Sequence, residues 1–193
     1  MNSDTLGYRK WTYADYLTWP DDERWELIYG MAYNQSPVSQ LLHQRIAGRL
    51  FAKLAELLGT KKYEIFIAPF DVVFTDPGVQ SVNDKYSTII QPDIFVIDDK
   101  KKVNDCGYIG TPVLVVEITT PETQSDDLTL KYDLYERHGV KEYWIVYPVE
   151  QVVMIYVHDD EGFCKPVRYA CSDKVVVTTL NNSILDLATV FVE

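Results

Sequence analysis

The sequence predicts an α/β (α+β) chain, a mixed β-sheet flanked by helices with extra N- and C-terminal β-hairpins. Three observations predict it. Strand-like runs outnumber helix-like ones, which favours a sheet with helices on its faces. "SPVSQLLHQRIAGRLFAKLAELLG" carries Leu42, Ile46, Leu50, Leu54 and Leu57 at three- and four-residue steps, the period of an amphipathic helix. "PVLVVEIT" is apolar on both faces, as a central strand covered on both sides must be. At 193 residues, 47% hydrophobic and 24% charged, the chain is long enough for one sizeable core and is expected to form a single domain over 1–193.

In chain order, "KWTYADYLTWPDD" predicts a short helix over Thr12–Leu17, halted by Pro20. "RWELIYGMAYNQSP" predicts two short strands turning at Gly30. The long helix starts at Ser36-Pro37 and stops at Gly59. "KYEIFIA" and "FDVVFT" read as strands, followed by a polar loop from Asp76 to Thr88. "QPDIFVID" is a strand and "DKKKVND" a solvated turn, leading into "PVLVVEIT". A helix runs over Gln124–His138, opened by Thr123 and Asp126 at capping-box spacing and ended by Gly139. "EYWIVYP" is a strand, "VVMIYVHDDEGFCKPVRYA" a hairpin turning at "DDEG", and two last strands lie around Val175–Val177 and Ser183–Leu185.

Several function classes are disfavoured by composition. Apolar runs of five or six residues are too short to span a bilayer, and "MNSDTLGYRKW" lacks a secretory pattern. Cys106, Cys164 and Cys171 have no metal-type spacing and read as reduced, packed thiols, so a cytoplasmic location is expected. A net charge of −11 argues against a general nucleic-acid coat. It leaves open a local basic groove and acids that hold cations.

Chemistry concentrates in the middle of the chain. Glu117 sits in a run so hydrophobic that its charge needs a partner. Val113, Val115, Glu117 and Thr119 share one side of their strand, as Asp93, Phe95 and Ile97 do of theirs, so neighbouring strands would bring the two acids to one sheet edge. On the following helix, Leu128, Tyr132 and Tyr135 form an apolar arc that also contains Asp127 and Lys131. Two acids and a lysine in a dry cleft suit phosphodiester hydrolysis around a hard divalent cation such as Mg²⁺. The plainer readings are an Asp127–Lys131 surface pair, turn chemistry at Asp93 and a packed or surface His43. A glycosidase pairing Asp93 with Glu117 is a further alternative, but it gives Lys131 no role.

"QPDIFVI", "VLVVEITTPET" and "DDLTLKYDLYERHGVKEYWIVYP" resemble the PD-(D/E)XK nuclease superfamily, within it a large family of restriction-endonuclease-like proteins. "RWELIYGMAYNQSP", "LLHQRI" and "IAPFDVVF" extend the likeness over most of the chain. The resemblance implies a restriction-endonuclease-like core and a Mg²⁺- or Mn²⁺-dependent DNA endonuclease acting as a homodimer. Its metal ligands would be Asp93, Glu117 and the Ile118 backbone carbonyl, with Lys131 as the catalytic lysine and Glu26 as a further acid. The usual lysine position, two residues after the acid, holds Thr119 here, and the resemblance implies that Lys131 on the next helix takes its place. Tyr29 and Tyr147 stand where related chains carry Asp, which bears on the substrate more than on the chemistry. The competing function is a non-catalytic binding or assembly module with the same fold. The aromatic strands "YWIVY" and "VVMIYV" are the expected dimer interface.

Overall fold

The computed structural model describes residues 9–20, 23–35, 41–59, 62–75, 88–121 and 123–192. Helix α1 (Tyr13–Tyr16) is a single turn closed reciprocally: the Asp15 amide donates to Thr12 Oγ1, and the Thr12 amide donates back to the Asp15 carboxylate at 2.9 Å. Strands β1 (Trp25–Ile28) and β2 (Met31–Asn34) form the predicted hairpin. Tyr29 and Gly30 turn it at φ 51° and 81°, the pair of positive angles that matches the twist of antiparallel strands. Helix α2 (Leu41–Leu57) buries Ile46, Ala47, Leu50 and Leu54, and Gly59 follows it at φ 46°. The predicted start of that helix, Ser36-Pro37, and residues 76–87 of the predicted loop lie outside the described residues.

The remaining elements are β3 (Glu64–Ile67), β4 (Val72–Phe74), β5 (Thr88–Ile90), β6 (Ile94–Ile97), β7 (Val103–Asn104), β8 (Gly107–Ile109), β9 (Leu114–Ile118), α3 (Gln124–Leu128), α4 (Leu130–Arg137), β10 (Glu142–Tyr147), β11 (Val152–Val157), β12 (Val167–Ala170), β13 (Lys174–Val177) and β14 (Ser183–Asp186). They build two mixed six-stranded sheets where one was expected. One sheet runs β2-β1-β5-β4-β8-β7, the other β12-β11-β10-β9-β6-β3, and β13-β14 pair separately as a hairpin. The extra sheet comes from segments too short to read as strands. Thr88 begins β5 instead of ending a loop, and the charged turn runs into the two-residue β7 and then β8. Gly107 permits that hairpin, since a Cβ there would lie 2.6 Å from the Asp71 carbonyl oxygen.

Strand β9 is central, parallel to β10 and antiparallel to β6, and all five of its residues are buried. On one face Leu114, Val116 and Ile118 pack with Ile46, Leu50 and Leu54 of α2 and with Val175 and Leu185 of the hairpin. On the other, Val115 joins Phe95, Leu134 and Tyr135, together with Ile28, Val72 and Phe74 of the other sheet. A smaller cluster of Tyr13, Leu27, Val73 and Ile89 gathers around α1.

Five smaller expectations are corrected. The predicted helix over Gln124–His138 is two helices, because Thr129 (φ −124°, ψ −77°) leaves helical geometry between α3 and α4. Thr123 stands at its N-cap without a side-chain cap; its Oγ1 accepts instead from the Thr120 amide at 3.1 Å. Leu128, placed in the apolar arc, is exposed, since the break turns it outward. Cys106 and Cys164 are exposed, not packed, though all three thiols are free. Tyr143 and Trp144 of β10 are fully buried between neighbouring strands, so this part of the proposed dimer interface is core. No helix among the described residues is long and apolar enough to cross a membrane.

Candidate active site

Asp93 occupies the bend immediately before β6. In the β6–β9 register Phe95 faces Val115 and Ile94 faces Val116, so one further step sets Asp93 opposite Glu117. Facing residues of antiparallel strands hold their Cβ atoms ~4.5–5.5 Å apart. The two acids therefore meet at one sheet edge, as the alternation of side chains predicts.

Each carboxylate has one oxygen engaged by two neighbouring groups. Asp93 Oδ2 accepts from the Ile118 amide at 2.7 Å and lies 3.1 Å from His43 Nε2. Glu117 Oε1 accepts from the Tyr135 hydroxyl at 2.6 Å and forms an ion pair with Lys131 Nζ at 3.1 Å. No described residue donates to the second oxygen of either acid. Burial pushes the Glu117 carboxyl upward, against the pull of Lys131.

Lys131 is the centre of the charge. Its ammonium lies 3.1 Å from Glu117, 3.5 Å from Asp127 Oδ1 and 3.8 Å from Glu26 Oε1, and its side chain is 9% exposed. Burial works against the protonated form, but the charges of Glu117, Glu26 and Asp127 outweigh it and hold Lys131 well above its ordinary value. Lys131 is thus a fixed cation, not a proton acceptor. Glu26 reaches the cluster from β1 in the other sheet, with Oε1 accepting from the Gln91 amide at 2.9 Å and Oε2 from Gln35 Nε2 at 2.7 Å. The four acids Glu26, Asp93, Glu117 and Asp127 face one ammonium, so the site carries an excess of negative charge.

That donor set fits a hard divalent cation, which takes oxygen ligands. Among the described residues no three His, Cys, Asp or Glu side chains are grouped to hold an ion, so a third ligand would be a main-chain carbonyl or a water. Ile118 suits the first. Its amide points at Asp93, and in an extended strand a residue's N–H and C=O lie on the same side.

The structure brings together all the candidate residues, Glu26, Asp93, Glu117, Ile118 and Lys131, and adds three others. Asp127, noted within the arc but otherwise read as a surface pair, is 1% exposed. Tyr135, read as apolar, supplies a hydroxyl. Both signals were present: Asp127, Lys131 and Tyr135 recur at four-residue intervals. His43 carried no such signal. Burial opposes its charge, but the hydrogen bond and charge of Asp93 outweigh that and raise it, while Nδ1 is buried without a hydrogen bond.

Residues 13–188 match the model of the Uma2 family, described as "Putative restriction endonuclease". An uncharacterized protein of Synechocystis is 25% identical over 185 residues, spanning 94% of this chain and 92% of its own length. A crystal structure described as a "putative nuclease belonging to DUF820", from Anabaena variabilis, superposes with a TM-score of 0.72 at 18% identity. The match covers 93% of this chain and 97% of that one, and it shows that the two share a fold.

Proposed function

This chain belongs to the Uma2 family, and from that premise we propose that it is a Mg²⁺- or Mn²⁺-dependent endonuclease hydrolysing DNA phosphodiester bonds on a restriction-endonuclease-like core. The observation that carries the reading is the convergence of Asp93, Glu117 and Lys131 from three separate segments. Asp93, Glu117 and the Ile118 carbonyl would hold the cation. Bound there, it would polarise the phosphate and acidify an attacking water. Lys131, fixed as a cation, stabilises the charge that builds on the phosphorane oxygens. Glu26 keeps that ammonium charged from the opposite sheet.

Two measurements test this. Mg²⁺ or Mn²⁺ is expected to raise the melting temperature of the wild type and not of Glu117→Ala, because a ligand stabilises only the state that binds it. Plasmid nicking is expected with Mn²⁺ and to be lost in Lys131→Ala. Equal nicking by both proteins would place the activity outside this site. No metal-dependent difference in melting would favour the binding-module reading, with which the net charge of −11 agrees.

A further inference from the structure

We propose that Asp127 is the positioning residue of Lys131, the acceptor that keeps the ammonium in place once Glu117 is engaged by a cation; this rests on the reading of the site given above. The three acids around Lys131 are not equivalent. Glu117 Oε1 also accepts from Tyr135, and both Glu26 oxygens accept from Gln91 and Gln35. Asp127 Oδ1 is buried, has no hydrogen bond, and lies 3.5 Å from the ammonium. A cation held by Glu117 repels Lys131, so the ammonium needs an anion to fall back on. Glu117 Oε2 also has no donor, but on this reading it is the oxygen that would take the cation, which leaves Asp127 Oδ1 as the uncommitted acceptor for the ammonium.

Two features separate this residue from an ordinary helix salt bridge. The Tyr143 hydroxyl donates to the Asp127 carbonyl at 3.0 Å, fixing the last turn of α3 to the sheet. The break at Thr129 then places Asp127 and Lys131 on different helices, although they are four residues apart. A purely structural buried acid looks different in this same protein. Glu142, fully buried, accepts from Trp144 Nε1, Thr178 Oγ1, and the amide and hydroxyl of Thr179 at 2.8–3.0 Å. Asp127 Oδ1 lacks that satisfaction, and burial raises the carboxyl in spite of Lys131 and a side-chain hydrogen bond from Thr123.

The test uses Asp127→Asn and Asp127→Glu with three readouts. The first is melting in EDTA, the second the Lys131 ¹⁵Nζ resonance without and with Mg²⁺, and the third plasmid nicking with Mn²⁺. Asp127→Asn is expected to melt no lower than the wild type, since it removes one of four crowded acids. With Mg²⁺ its Lys131 resonance broadens into exchange with water, and nicking falls at least tenfold in kcat with KM unchanged. Asp127→Glu restores a sharp resonance and part of the rate. A sharp, unshifted Lys131 signal in Asp127→Asn with Mg²⁺ overturns the proposal, and so does wild-type nicking. An Asp127→Asn protein that fails to fold also overturns it, because the acid is then structural. If the wild type nicks nothing, the nuclease reading falls, and the ammonium signal alone decides the role of Asp127.

Discussion

Replacing Lys131 with Met keeps the length of the side chain and removes its charge. Glu117, Asp127 and Glu26 then share a buried site with no ammonium, although each lay within 3.8 Å of it. The exposure of Lys131 is 9% and of Glu117 4%, so solvent screens little. Breaking a buried pair by removing one partner costs ~3–5 kcal/mol. In a protein of this length ~1 kcal/mol moves the melting temperature about 2–4 °C, so Lys131→Met is expected to melt roughly 6–20 °C lower in EDTA near pH 8.

The pH dependence gives that prediction a second, independent edge. Burial raises the Glu117 carboxyl to about 8, with Lys131 pulling it down. A carboxyl raised in the folded state holds a proton that the unfolded chain releases near ~4.3. Its contribution to stability is therefore complete below that value and is lost as the pH rises through about 8. Without Lys131 the Glu117 carboxyl rises further, so the variant goes on losing stability above about pH 8, where the wild type has finished, and the gap between them widens from about pH 7 to about pH 9. Calorimetry or circular-dichroism melts at the two pH values measure it. A gap below about 2 °C at the higher pH, or one that does not change with pH, would refute the claim that this ammonium is the counter-charge of the acids.

Tyr135→Phe removes the donor 2.6 Å from Glu117 Oε1, and a hydrogen bond to a charged group is worth ~1.5–3 kcal/mol, a loss expected as an earlier urea midpoint above about pH 8, where Glu117 is ionised. His43→Ala leaves Asp93 Oδ2 with the Ile118 amide as its donor; loss of such an outer partner weakens metal binding ~10–100-fold, which titration calorimetry with Mn²⁺ reads directly. Glu142→Ala strands the Thr179 amide and the Trp144 indole, each at ~1–3 kcal/mol. Hydrogen exchange is expected to show the loosening first in β13 and β14, which the Thr178–Thr179 turn ties to β10.

Where the chain order carries local information, the sequence is legible. The α2 stripe and the two-sided burial of β9 follow from periodicity, and Glu117 stands out because no neighbour in its strand can neutralise it. The second sheet is illegible for the same reason. Strands β5, β7 and β8 have two or three residues each, below the length at which alternation can be told from chance, and the pairings that tie β5 to β1 and β8 to β4 span long stretches of chain. His43 shows the limit at single-residue scale. It meets Asp93 across fifty positions of sequence, at the tip of a helix whose other side forms the core. Helical spacing reports which face a residue occupies and not what waits beyond the end of the helix. Asp127 was visible as a charge in an apolar arc, but its burial depends on Tyr143 drawing α3 down onto the sheet, a tertiary contact.

The acidity that weighs against a DNA substrate has a use within the proposed site. Lys131 belongs to Glu117, Asp127 and Glu26 before any ligand arrives, so the ammonium is unavailable as a simple phosphate contact. On the proposed reading a divalent cation must come first. Held by Asp93, Glu117 and the Ile118 carbonyl, it would offset the excess of acid, and Asp127 would then hold the ammonium. DNA affinity in such a site depends on the cation more than on surface Lys and Arg, so it should respond steeply to Mg²⁺ and only shallowly to monovalent salt, whose effect scales with the number of phosphates the protein itself neutralises. Net acidity and nuclease chemistry are then compatible, because the same carboxylates that repel a phosphate would recruit the ion that draws it in.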